Sequence, residues 1–501
     1  MLIRPDRGDI RLVALYVGRI LTGMGLVMVL PGLLGVVRGE LDDALGFVIG
    51  SGAAITIGQL ADWRLTSRRP LDWSHALVVV AVAWLAAAFV GAVPLFLSGH
   101  YTRFLDAYFD AMSGLATAGL AVINDLDHLS DSVNLWRHLL QFLGGQGLVL
   151  VALSLFTSGG GLTGLYIGEA REDRILPNVT RTARFIWRVS LLYAGVGTVA
   201  LWGALLHAGM PAVDGLLHAL MLFMAAFDTG GFAPTSASVG FYHSVVVEAV
   251  IAVLMVAGML SFALHYQLLH RRHRVLVRNA EVRFLAGSIL VLFAVTAVGL
   301  MRSGAYETVE ALYRRGFFQL VSAHTGTGFG SIPGRLFVTD WGALAPAMIV
   351  VAMALGGMAG STTGGIKALR IALIHRFLRG EMRRLLLPRD AVIVNSYDSG
   401  GVRRTVDPAA VQTAITILLL YVALYLGGAA VGLFYGYSFE ESMFESTSAA
   451  AAVGLSIGMT GPNLESGLKL TYIAQMWIGR LEFVAVLVLA GYGLSLLRGR
   501  T

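Results

Sequence analysis

The chain has no cysteine, and only 14% of its 501 residues are charged. The missing thiols exclude disulfides, thiolate metal sites and cysteine nucleophiles. The charged fraction lies well below the roughly 25% of soluble domains. With 56% hydrophobic residues and a mean hydropathy of +0.72, the composition is that of a polytopic membrane protein. Apolar runs this long suit helices rather than the short alternating strands of a barrel. A net charge of +6 could point to nucleic acid, but the arginines cluster at the ends of apolar spans, as membrane orientation requires. No nucleic-acid partner is expected, and the lipid bilayer is. The first apolar segment is long and has no convincing cleavage site, so no signal peptide is expected.

What the chain has in excess is glycine, 61 residues of it. Four segments align on one glycine followed by Leu or Phe: Thr117-Ala118-Gly119-Leu120, Thr229-Gly230-Gly231-Phe232, Gly326-Thr327-Gly328-Phe329 and Ala452-Val453-Gly454-Leu455. One such segment would be an ordinary loop. Four at near-even intervals, each after a short helix and before an apolar span, are the mark of an internal repeat. A glycine-rich backbone at membrane depth is viable only where it lines a watery path. A ring of bare carbonyls there suits a dehydrated cation.

Taken in order, residues 1–70 hold two apolar spans, about 11–37 and 44–62, read as an accessory hairpin. Repeats follow at 71–170, 171–278, 279–400 and 401–501. Each reads as span, half-helix, glycine loop, span. The half-helices are expected at 104–115, 213–227, 307–323 and 439–450, too short to cross about 30 Å of hydrocarbon. Each has an acid near its start (Asp106, Asp214, Glu307, Glu440), which favours a helix N-terminus and leaves the negative end facing the glycine loop. Alternating basic and less basic connections give all four repeats one orientation. The loops 63–73, 158–188, 270–283 and 370–404, with both tails, hold 26 of the 37 basic residues. Both termini are therefore expected in the cytoplasm. The fold class expected is an all-α polytopic membrane protein with four same-orientation repeats around one pore.

Two further features stand out. In the second span of repeat three, Gly356, Gly357, Gly360, Ser361, Thr362, Thr363, Gly364, Gly365 and Lys367 interrupt an apolar helix. This is not a phosphate-binding loop, because Ile366 separates the glycines from Lys367. Close helix packing through small residues is a bland alternative; a mobile gate below the loops is the better reading. Arg480, in an apolar span, is expected either to face the pore just inside the loops or to form a structural ion pair. Glu482, two residues on, does not share its helix face.

These residues together resemble the Trk/Ktr/HKT potassium-transporter superfamily, over residues 74–498. The leading hairpin looks most like the bacterial TrkH-type subunit, while Val453-Gly454-Leu455-Ser456-Ile457-Gly458 looks more like the KtrB type. The resemblance implies potassium uptake across a bacterial cytoplasmic membrane. It implies a filter of Gly119, Gly231, Gly328 and Gly454, with K+ at the carbonyls of Thr117, Ala118, Thr229, Gly230, Gly326, Thr327, Ala452 and Val453. It also implies Gly356–Lys367 as gating loop, Arg480 as pore arginine, a homodimer, and a cytosolic nucleotide-binding ring of the TrkA/KtrA kind. No organic cofactor is expected. Repeats three and four lack threonine two residues before the aligned glycine, and Asp228 and His324 stand just before their loops. An asymmetric ring, modest selectivity and a pH effect through His324 are expected from this.

Two rival functions remain. A sodium- or proton-coupled secondary transporter of another solute would show paired broken helices in related halves; the sequence offers one break and four re-entrant loops. An intramembrane hydrolase could use Ser361 with His375, but no aspartate is placed to orient that histidine. No enzyme activity is expected.

Overall fold

The computed structural model describes residues 6–65, 69, 71–123, 125–147, 179–388, 395–399 and 402–497. The expected end of the second span of repeat one (148–157) and most of the basic loop after it lie outside the described residues. Regular structure among the described residues is helical apart from one antiparallel hairpin, β1 (Ser396–Ser399) with β2 (Val402–Thr405).

The accessory hairpin is α1 (Arg7–Arg38) and α2 (Leu41–Arg64). Its turn residue Glu40 accepts the backbone N–H groups of Asp131 at 2.8 Å and Ser132 at 3.0 Å. It thereby satisfies two orphan donors at the start of α5 (Asp131–Gln146). Arg38 at the end of α1 pairs with Asp131 at 2.9 Å and Asp214 at 3.0 Å. The hairpin is thus fastened to repeats one and two on the side where the half-helices begin.

Repeat one runs α3 (Trp73–Leu97), half-helix α4 (Phe104–Leu115), then α5. Repeat two runs α6 (Val179–His207), half-helix α7 (Ala212–Phe227), α8 (Val245–Met259) and α9 (Phe262–Leu269). Repeat three has α10 (Ala280–Ser303), a half-helix ending in α11 (Phe318–His324), α12 (Leu344–Ala354) and α13 (Ala368–Leu385). Repeat four has α14 (Pro408–Phe434), half-helix α15 (Phe439–Ala450), α16 (Ser466–Arg480) and α17 (Val484–Leu497). The outward face of α6 is apolar, with Leu191, Leu192, Val196 and Val199 exposed, while Phe223 and Phe227 of α7 are buried.

Three expectations need correction. The third half-helix is not one α-helix over 307–323. Thr308 caps a short turn with Glu310, not Glu307, in its first turn, and a π-helix over Leu312–Phe317 precedes α11. The second spans of repeats two and four are not single helices. They bend by 106° between α8 and α9 and by 112° between α16 and α17. The second bend is made by Glu482 and Phe483, both in the left-handed region (φ 49° and 71°), so α16 ends at Arg480 instead of passing through it. With bent spans in repeats two and four as well as the break in repeat three, the number of helix breaks does not separate this fold from a secondary transporter.

One buried and one half-buried ion pair join neighbouring repeats. Asp106 near the start of α4 pairs with Lys469 of α16 at 2.7 Å, linking repeats one and four. Glu248 of α8 pairs with Arg314 at 2.8 Å, linking repeats two and three. Asp106, in the first turn of half-helix α4, thus also ties repeat one to repeat four, while Glu248 does the corresponding work from the first turn of a span.

Candidate ion pathway

All four half-helices end in the same way. The N–H of Ala118, Gly230, Thr327 and Val453 reaches back five residues to the carbonyls of Ser113, Ala225, Ser322 and Ser448, at 2.8, 2.8, 3.0 and 2.9 Å. This is the six-to-one closure of a Schellman cap, which needs a left-handed residue just before. That residue is Thr117 (φ 52°), Thr229 (51°), Gly326 (68°) and Ala452 (54°). Only one of the four is glycine, so three non-glycine residues hold a conformation costing about 1–2 kcal/mol each. The chain then turns again at the aligned glycines, with φ of 71° at Gly119, 73° at Gly231, 87° at Gly328 and 99° at Gly454. The sequence alignment of the loops is thus matched residue by residue in backbone conformation.

The loops meet in a closed cycle. A methyl group on Gly119 would lie 2.5 Å from the Gly230 carbonyl oxygen and 3.3 Å from that of Val453. One on Gly454 would lie 2.6 Å from the Ala118 oxygen, one on Gly231 would overlap the Thr327 oxygen, and one on Gly328 the Val453 oxygen. Each aligned glycine therefore abuts the carbonyl just before the aligned glycine of a neighbouring loop. The buried Thr117 hydroxyl has no hydrogen-bond partner. On one side of the ring a cavity of about 240 Å³ is lined by all four aligned glycines. On the other a cavity of about 20 Å³, space for about one water, is lined by Ser361, Thr363, Gly364, Lys367, Arg480 and Glu482.

What holds the loops from behind was not foreseen. Nine residues before the aligned glycine stand Asp110, Leu222, Gln319 and Glu445; three residues after it stand Val122, Pro234, Ser331 and Ile457. In three repeats the first side chain accepts the N–H of the second: Asp110 from Val122 at 2.9 Å, Gln319 from Ser331 at 2.7 Å, Glu445 from Ile457 at 3.1 Å. In repeat two Pro234 has no N–H, and Leu222 is no acceptor. That loop is held instead from α5 of repeat one. Asn134 Nδ2 donates to the Pro234 carbonyl at 2.9 Å, and His138 meets the Phe232 carbonyl at 3.2 Å. Gln141 Nε2 donates to the Gly230 carbonyl at 2.5 Å while its Oε1 accepts from Phe232 N–H at 3.2 Å. The guanidinium of Arg137 lies 4.1 Å from the Phe232 ring centroid. The fixed offset of acid or amide to donor, with Leu and Pro breaking it together, was present in the sequence.

The interruption in repeat three is a closed loop. Gly356 N–H donates to the Ile366 carbonyl at 2.9 Å, and Ile366 N–H to Ala354 at 3.1 Å. Thr362 Oγ1 donates to the Gly258 carbonyl at 3.0 Å and meets Thr229 Oγ1 at 3.1 Å. A methyl group on Gly364 would overlap the Ala451 carbonyl. Ala359 N–H donates to Glu281 Oε1 of α10 at 2.8 Å. Lys367 Nζ donates to the Thr363 carbonyl and lies 3.8 Å from Glu482. The loop therefore sits directly beneath the ring and touches repeats two, three and four.

Arg480 donates to the Thr362 carbonyl through Nη1 at 2.5 Å and to the Gly144 carbonyl through Nη2 at 2.7 Å. Glu482 pairs instead with Lys367 and with Arg370 of α13. Asp228 and His324 line neither cavity. Asp228 accepts from Gln146 Nε2 at 2.7 Å, and Gln146 from Ser190 at 2.6 Å. His324 Nε2 meets Ser288 Oγ of α10 at 2.8 Å. Ser361 Oγ is engaged by the Met358 carbonyl at 2.7 Å and Thr363 Oγ1 at 2.9 Å. His375 lines a separate cavity between α10 and α13, so no serine–histidine pair forms.

The TrkH family of cation transport proteins matches residues 45–493. The chain belongs to this family. An uncharacterized cation transporter of Methanocaldococcus jannaschii is 30% identical over 97% of this chain and 96% of its own length. The Trk system potassium uptake protein TrkH of Halomonas elongata is 29% identical, over 96% and 98%. The crystal structure of the potassium transporter TrkH from Vibrio parahaemolyticus has the same fold, with a TM-score of 0.82 at 23% identity, covering 96% of this chain and 98% of that one. As a TrkH-family member with several apolar spans, the chain is a multi-pass membrane protein.

Proposed function

We propose that this chain takes up potassium through the ring of four glycine loops. The observation that carries the reading is the cycle itself: four identical helix caps that bring the carbonyls of Ala118, Gly230, Thr327 and Val453 against the neighbouring glycines. The half-helices end at this ring with their partial negative charge, which favours a cation there. K+ occupies sites made by these carbonyls and by those of Thr117, Thr229, Gly326 and Ala452. The names of the relatives, Trk system potassium uptake proteins among them, support K+ over other cations.

Gly356–Lys367 acts as the gate, and Arg480 holds it closed by its bond to Thr362 while placing a positive charge just inside the filter. The repeats run 71–170, 171–278, 279–400 and 401–501. The membrane is the bacterial cytoplasmic membrane, with both termini inside, in keeping with the positions of the arginines. The working unit is a homodimer bound to a cytosolic nucleotide-binding ring, in keeping with relatives that are named as parts of a Trk system. The chain carries no catalytic site in this reading and needs no cofactor beyond the transported ion.

Rubidium flux into liposomes, with and without excess sodium, tests this. Saturable rubidium entry that sodium competes for poorly is expected. Flux that requires a proton or sodium gradient and a different solute would replace this reading with the coupled transporter.

A further inference from the structure

We propose that the basic cavity between α10 and α13 is a binding site for a phosphate-bearing anion. It has a volume of about 570 Å³ and is lined by Arg283 of α10 and by His375, Arg376, Arg379 and Arg383 of α13. The described residues that line it include no aspartate or glutamate. Residues 376, 379 and 383 are spaced three and four apart, so they share a helix face, where like charges repel. Arg283 adds a fourth guanidinium from the facing helix. The known partners are carbonyls, which orient a guanidinium without neutralising it. Arg283 Nε donates to Val277 O at 2.6 Å, and Arg376 Nη1 donates to Ser396 O. Arg379 and Arg383 are exposed.

Several guanidinium forks on one concavity suit the three oxygens of a phosphate better than a single carboxylate. The cavity belongs to the face read above as cytoplasmic, where basic pockets between membrane helices take anionic lipid head groups. A soluble phosphate offers the same chemistry. The two helices also carry the anchors of the loop: Glu281 holds Ala359, and α13 begins beside Lys367 and holds Glu482 through Arg370. A bound anion would tie them together and restrain the loop; that consequence rests on the transport reading, whereas binding does not.

The test uses the full chain. Wild type and Arg379→Gln/Arg383→Gln are compared in phosphatidylcholine nanodiscs with and without phosphatidylglycerol, and in neutral detergent titrated with inorganic phosphate. Retained phosphatidylglycerol is counted by native mass spectrometry, and phosphate binding by thermal shift. Wild type should bind one of the two anions more tightly than the variant, by about fivefold per arginine removed. Preference for phosphatidylglycerol assigns a lipid head group, and a response to inorganic phosphate alone assigns a soluble ligand. Equal binding of both probes by wild type and variant overturns the site. If the double variant does not fold, Arg383→Gln alone, at an exposed position, carries the same comparison. Rubidium flux in the same two lipid mixtures then reads the effect on the loop separately: unchanged flux with intact binding removes the coupling and leaves the site.

Discussion

The side-chain amide of Gln141, on the helix that follows the first loop, donates at 2.5 Å to the carbonyl of Gly230 in the second. One of the four carbonyls at the ring is therefore shared with a protein donor, and the ring is asymmetric for a reason other than the threonine pattern. Gln141 buttresses the loop that lacks the staple of the other three, the bond from Asp110, Gln319 or Glu445 to the N–H three residues past the aligned glycine. A hydrogen bond of this kind is worth about 1 kcal/mol net, or about fivefold in an equilibrium. Gln141→Leu should therefore lower the preference for rubidium over sodium by about fivefold, with Gln141→Glu distinguishing lost positioning from lost donation. Liposome flux with both ions measures the ratio. An unchanged ratio in a folded Gln141→Leu protein would show that the buttress does not position the loop.

The second prediction concerns Glu445. Its carboxylate accepts from Ile457 N–H at 3.1 Å, Ser456 Oγ at 2.5 Å and Thr460 Oγ1 at 2.6 Å, and it is fully buried. Glu445→Leu leaves the buried Ile457 N–H orphaned, at about 1–3 kcal/mol, and releases the half-buried Ser456 and Thr460 hydroxyls. Thermal stability and ion preference should both fall. Glu445→Gln keeps an acceptor for Ile457 and should retain most of both. A leucine variant as selective and stable as wild type would rule out the staple.

Much of this was legible in the sequence, and what was not has identifiable causes. The four loops could be aligned because their glycines recur with a fixed neighbour, and half-helices α4 and α15 begin and end where expected because Asp106 and Glu440 mark their first turns. The π segment at Leu312–Phe317 was not legible, because its spacing departs from the α period only after the chain is packed. The bend after Arg480 was hidden because Leu481-Glu482-Phe483 contains no glycine or proline; Glu482 and Phe483 take left-handed backbone angles that the sequence gives no reason to expect. The partner of Glu482 was missed because Lys367 and Arg370 lie more than a hundred residues away. The staple offset was visible but unread.

The third prediction sets a substitution in the ring against one on a membrane span. Gly328→Ser puts a side chain where a methyl group already overlaps the Val453 carbonyl, at a φ of 87° that L residues resist. It should abolish or invert ion preference, because the carbonyls can no longer replace the hydration shell. Gly299 is a poor control, since a methyl group there would lie 3.1 Å from Ala345 N. Gly287 on the same helix has nothing within 4 Å, so Gly287→Ser should leave flux unchanged. Equal ion preference in Gly328→Ser and Gly287→Ser would remove the ring from the account of selectivity.

The last prediction separates two charges that lie two residues apart. Glu482 is buried between Lys367 and Arg370, so Glu482→Gln removes the negative charge that both cations face. Removing one partner of such a buried pair costs about 3–5 kcal/mol, and the variant should lose yield and thermal stability. Arg480 donates to two neutral carbonyls, Thr362 of the loop and Gly144 of α5, and its guanidinium lies 5.8 Å from the Trp84 ring centroid. Arg480→Gln keeps a donor for one of them and should fold. It also removes a positive charge from the proposed ion path and weakens the tie between α16 and the loop under the ring. At an effective dielectric near 20, a unit charge several ångströms from a cation is worth about 2–4 kcal/mol, lowered further by pore water. Both effects act in the same direction, so rubidium flux should rise several-fold. Shortening Gly356–Gly365 should raise it too, by removing the loop that Arg480 holds. Arg480→Lys keeps the charge but loses the fork that spans two carbonyls, so its flux should fall between wild type and Arg480→Gln. Flux and thermal stability measured on one preparation decide the matter: an Arg480→Gln protein with wild-type stability and wild-type flux would exclude Arg480 from the pathway, whereas one that melts as early as Glu482→Gln would make it a structural residue.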